Sequence, residues 1–161
     1  MLALLTLCLA PTLCAQQAMV SGKGSVLTIR RARDRHRVVL PASVKVDMDT
    51  VEVLDSQNVG ARSYLLLTVS GPSKRIGGGA GQCGAGTETA IIWLTLQTWR
   101  IREIASQLVE SCWTNVTVAT TIGWAGDEMR LSFIDGAPGS IPKTLRYDRD
   151  HAERGFTLVP P

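Results

Sequence analysis

Tyr64-Leu65-Leu66-Leu67-Thr68-Val69 and Ala90-Ile91-Ile92-Trp93-Leu94-Thr95-Leu96 are the two stretches on which the fold turns. Each is a near-continuous apolar run, too short for an ordinary helix and rich in β-branched and aromatic side chains. Runs of this kind suit central strands covered on both faces. Turn residues flank the first run, with Asn58-Val59-Gly60 before it and Gly71-Pro72-Ser73 after it.

Outward from these runs the hydrophobic period is two. Val44, Val46 and Met48 alternate with Lys45, Asp47 and Asp49, as on a half-buried strand. Val116, Val118, Thr120 and Ile122 repeat the pattern, and Met129, Leu131 and Phe133 do so again. Shorter strands are expected at Val38–Leu40, Leu145–Tyr147 and Phe156–Val159, with turns at Gly126-Asp127 and Asp135-Gly136-Ala137-Pro138-Gly139. The chain therefore reads as mainly β, an antiparallel sandwich or barrel. One segment, 99–112, stays open. Ile101, Ile104, Ala105, Leu108, Val109 and Cys112 make a helical stripe, whereas a strand reading needs a bend at Ala105-Ser106.

The chain has 161 residues, 45% hydrophobic and 19% charged. That length gives one domain with a sizeable core, and the composition excludes a disordered or collagen-like chain. No apolar run reaches the ~20 residues of a membrane-spanning helix. Met1 to Gly22 carry no charge, and Leu2 to Leu13 are apolar apart from Thr6, Pro11 and Thr12. This reads as a signal peptide over residues 1–15, cleaved before Gln16, followed by a single mainly β domain over 16–161. The expected location is periplasmic or secreted.

Export would leave Cys83 and Cys112 as the cysteines of the mature chain. In an oxidising compartment two cysteines read as one disulfide, stabilising by about 3 to 4 kcal/mol for a loop of roughly 30 residues. Two cysteines and two distant histidines, His36 and His151, do not make a zinc site. No metal and no cofactor are expected.

Residues 77–86 read Gly-Gly-Gly-Ala-Gly-Gln-Cys-Gly-Ala-Gly. A formal G-x-G-x-x-G lies at Gly79, Gly81 and Gly84, but a strand pattern follows it where a dinucleotide site needs a helix N-terminus. Cys83 as a nucleophile would need a base, which only His36 or His151 could supply. The favoured reading is a disulfide-tethered loop, 71–88, serving as a recognition surface with Lys74, Arg75, Gln82 and Glu88 as its contacts.

Residues 23–37 hold six of the 17 basic residues and one acid, a local charge of +5 against +3 for the chain. Lys23, Arg30, Arg31, Arg33, Arg35 and Arg37 read first as a solvated turn between two strands and otherwise as a polyanion-binding patch. The carboxylates Asp47/Asp49, Asp127/Glu128 and Asp148/Asp150 make no calcium loop. Glu88 with Asp127 or Asp150 is the pair a glycosidase-like reading would need. Trp93, Trp99, Trp113 and Trp124 belong to the core or its rim, and Asn115-Val116-Thr117 is a glycosylation sequon.

Ser70-Gly71-Pro72-Ser73 resembles the start of the Ser-Gly-x-x-Tyr motif of periplasmic lysozyme inhibitors, but Lys74 stands where the tyrosine belongs. No family follows from it. The expectation is an exported binding or inhibitory module, not an enzyme, whose partner is a protein or an envelope component rather than nucleic acid. The alternatives are an envelope-associated polyanion-binding protein and a small hydrolase using Cys83 or Glu88.

Overall fold

The computed structural model describes residues 19–31, 33–73, 86–136 and 139–159. It is mainly β: of the described residues 69% are strand and 5% helix. Three antiparallel sheets stack as layers. The first contains β1 (Met19–Lys23), β2 (Val26–Arg31) and β3 (Asp34–Val39), in the order β1-β2-β3. The central sheet contains β4 (Thr50–Val59), β5 (Arg62–Pro72), β6 (Thr87–Gln97) and β7 (Arg100–Glu110), in sequence order. The third has the order β12-β11-β10-β8, with β9 paired to the other end of β10. Its strands are β8 (Val116–Val118), β9 (Gly123–Ala125), β10 (Glu128–Asp135), β11 (Lys143–Asp148) and β12 (Phe156–Val159). A short 3-10 helix, Arg149–Arg154, joins β11 to β12.

The layering explains the two apolar runs. Successive side chains of a strand point to opposite faces, and both faces of β5 and β6 are covered. Leu65, Leu67, Val69, Ala90, Ile92, Leu94 and Leu96 enter a core shared with Val20, Leu27, Ile29 and Val38 of the first sheet. Tyr64, Leu66, Ile91 and Trp93 enter a second core with Met129, Leu131, Phe133, Leu145 and Tyr147 of the third. Full burial of such a side chain contributes about 1.5–3 kcal/mol, so polar alternation would be costly in these strands. The packing is that of a sandwich with one extra layer. No sheet closes into a barrel among the described residues.

Three local expectations are corrected. Residues 99–112 hold no helix: Arg100–Glu110 is one strand, with no break at Ala105-Ser106. Leu96 pairs with Ile101 and Thr95 with Glu103, leaving Arg102 as a bulge, and a second irregularity leaves out Val109. A bulge places two residues opposite one, so Ile101 and Ile104 both face the first core despite their spacing. Val44–Met48 buries alternate residues as expected, yet it forms no strand and is paired through an isolated bridge, Met48 with Gly24. The run from Val116 to Ile122 is a strand only to Val118.

Candidate functional site

The β5–β6 hairpin carries the glycine-rich stretch at its far end, and its stem is held at several points. Pro72 pairs with Thr87 and Gly71 with Glu88. Beyond them, Ser73 N donates to Gly86 O at 2.9 Å, closing the base of the loop. The segment before β4 crosses the stem at Gly71, where a Cβ would lie 1.8 Å from the Asp47 carbonyl oxygen. Only glycine lets the two backbones pass so closely. Met48 exchanges backbone bonds with Gly24, and Asp49 N donates to Ser70 O at 2.8 Å. The crossing therefore ties the first sheet to this end of the central one.

Glu88 is 8% exposed and accepts a 2.7 Å hydrogen bond from Ser73 Oγ. It closes the stem from inside, which differs from the surface contact expected of it. Beside it, Ser70 Oγ and Thr89 Oγ1 share a hydrogen bond at 3.1 Å, and Thr89 donates to Glu110 at 3.0 Å. A depression of about 350 Å³ opens at the same end, lined by Asp49, Thr50, Ser70, Gly71, Pro72, Gly86 and Thr87. Lys74, Arg75, Gln82 and Cys83 lie outside the described residues. Cys112 follows β7 in an exposed turn whose ends, Ser111 and Val116, bond reciprocally. Because Glu110 pairs with Thr89, this turn leaves the sheet at the loop's end.

The histidines lie elsewhere. His36 stacks on Trp99 with ring centroids 3.7 Å apart and planes 8° from parallel. Trp99 and Thr98 form the two-residue β6–β7 turn, with φ of 63° and 50°, the left-handed geometry that tight hairpins require. That turn is at the opposite end of β6 from Thr87, about 33 Å away at ~3.3 Å per residue. His151 is in the 3-10 helix, 3.8 Å from Glu153. Asp127 joins Arg149 at 3.7 Å on the third-sheet side, while Glu88 has the strand parity of Ala90 and Ile92, toward the first sheet. The structure does not bring Glu88 together with Asp127, nor with Asp150 of the 3-10 helix that follows β11.

One polar cluster was not anticipated. Asp55, beside a bulge in β4, accepts from Tyr147 Oη at 2.6 Å and from Gln57 Nε2 at 3.1 Å. Arg149 Nε sits 3.2 Å from the other Asp55 oxygen, and its guanidinium lies 4.2 Å from the Trp124 ring centroid. Burial first, then the hydrogen bond to Asp55, holds the Tyr147 hydroxyl protonated well above the ordinary phenol range. The cluster pins the central sheet to the third one. Its partners are 92 residues apart, so no local motif announces it.

No group of three or more metal-ligating side chains occurs among the described residues. Compared with protein-family models, curated proteins and solved structures, the chain matches none.

Proposed function

We propose that this chain is an exported β-sheet binding module that engages a protein partner through the 71–88 end of the β5–β6 hairpin. The observation that carries the reading is the anchoring of that stem. The two strands buried on both faces extend to Pro72 and Thr87, where Gly71, Ser73 and Glu88 fix the base of the connection. A recognition loop on so rigid a base loses less conformational entropy on binding. The adjoining depression at Asp49, Thr50 and Thr87 supplies a concave rim.

In this reading Lys74, Arg75 and Gln82 make the contacts, together with Thr87, and Glu88 acts as the internal anchor. A Cys83–Cys112 disulfide tethers the loop. What supports the bond is that the Cys112 turn leaves the sheet at the loop's end, with Cys83 four positions before Thr87.

Photocrosslinking tests the proposal. A photoreactive residue would be placed at Gln82 and at Thr87, and as a control at Leu158, which is 46% exposed on β12. Irradiation of intact cells is expected to give one discrete protein adduct from positions 82 and 87, lost when Lys74 and Arg75 are replaced by Ala. Identical adducts at all three positions, or none from 82 and 87, would overturn it.

A further inference from the structure

The outer face of the first sheet is a small grid whose composition the fold does not require. Val20, Leu27, Ile29 and Val38 point into the core, so the alternate residues point outward. Register arranges them in rows: Met19, Arg30 and Arg35; then Ser21, Thr28 and Arg37; then Lys23, Val26 and Val39. At ~4.8 Å between strands and ~3.3 Å per residue, the grid covers about 10 by 13 Å. Lys23, Arg30, Arg35 and Arg37 all stand on it, exposed, and no carboxylate does. Asp34, the acid of the hairpin, pairs in register with Arg31 on the opposite parity.

Three observations make this face a docking surface. Arg30 lies directly across from Arg35, and like charges in that position destabilise a sheet. None of the four cations forms an ion pair among the described residues. The other outer face of the same molecule behaves differently. On the third sheet Glu128 takes hydrogen bonds from both Arg146 and Arg130, which hold its carboxyl below the usual range. The protein neutralises cations on one outer sheet and leaves them uncompensated on the other.

The flanking residues select the partner. The grid holds no aromatic side chain to stack on a base. At opposite corners it instead exposes Met19 and Val39, each at 66%. Cations interspersed with exposed apolar side chains match an interface of anionic headgroups over acyl chains. We propose that the outer face of the first sheet docks on an anionic phospholipid bilayer. It lies on the surface without crossing it. On this reading the module would engage its protein partner through the 71–88 hairpin end while resting on a membrane.

Vesicle flotation decides the matter. The whole protein is expected to float with mixed phosphatidylglycerol–phosphatidylcholine vesicles, to release them as salt rises, and to ignore phosphatidylcholine alone. Juxtamembrane basic residues contribute about 1 kcal/mol each, so each neutralised cation should lower vesicle affinity ~5-fold. Replacing Lys23, Arg30, Arg35 and Arg37 by Gln should therefore abolish measurable flotation, with circular dichroism verifying that these exposed substitutions leave the fold intact. Met19→Ser with Val39→Ser should weaken flotation several-fold while leaving binding to heparin, a soluble polyanion, unchanged. Undiminished flotation of the quadruple variant would overturn the site. Heparin binding as tight as vesicle binding, with no effect of the Met19 and Val39 substitutions, would reassign it to soluble polyanions and overturn the bilayer.

Discussion

Tyr147 shows how one side chain can couple two layers. Its ring is buried in the second core, where Trp124 meets it edge-on at 6.2 Å, and its hydroxyl reaches Asp55 of the central sheet. Ionising that hydroxyl beside a carboxylate and away from water is unfavourable, so its folded pKa is raised. A raised folded pKa stabilises the protein fully below the unfolded value and is lost as pH rises beyond it. Unfolding free energy should accordingly fall above about pH 10, with a slope approaching ~1.4 kcal/mol per pH unit from this group. Tyr147→Phe should remove that contribution and cost about 1–3 kcal/mol at neutral pH, because the part-buried Asp55 loses one of its donors. Urea titrations of both proteins from neutral to alkaline pH would check this, and an unchanged alkaline decline in the variant would refute it. The sequence marked neither residue as part of a cluster. Glu88 was marked, but for exposure; strand parity sets it inward, and parity becomes certain only once the register is known.

At the scale of elements, legibility followed regularity. β5, β6 and β10 were readable because an uninterrupted period, or an unbroken apolar run, states which faces are buried. β7 was ambiguous for a definite reason. The bulge at Arg102 shifts the phase by one residue, and Ile101, Ile104 and Leu108 then mimic a helical stripe. Val44–Met48 misled in the other direction, since alternate burial requires an extended backbone but not a ladder. The bulge supplies its own test. Removing Arg102 leaves Ile101 opposite Leu96 and Glu103 opposite Thr95. Its deletion should therefore shift stability by about 1 kcal/mol or less, the size of a tolerated local change. Deleting Ala105, which is in register with Trp93, should turn Ser106 to Leu108 to the wrong faces and cost more than about 3 kcal/mol. Thermal melts would separate the two deletions. Equal losses would contradict the assignment of Arg102 to a bulge.

The whole molecule is a stack in which the middle sheet has no solvent face across β5 and β6, and these strands support the 71–88 connection. Export, a tethered loop and a rigid stem together form the account's central claim. Part of this rests on chemistry the sequence displays, namely the uncharged apolar start and the pair Cys83 and Cys112. The rest rests on geometry: the stem's anchoring at Gly71 and Glu88, and the emergence of the Cys112 turn at the same end of the sheet. The most direct measurement is a free-thiol count on the exported protein under denaturing conditions, combined with intact mass and peptide mapping. The account predicts no free thiol, a chain beginning at Gln16, and one linked peptide pair containing Cys83 and Cys112. Four free thiols on an unprocessed chain, those of Cys8, Cys14, Cys83 and Cys112, would contradict both the export and the tether.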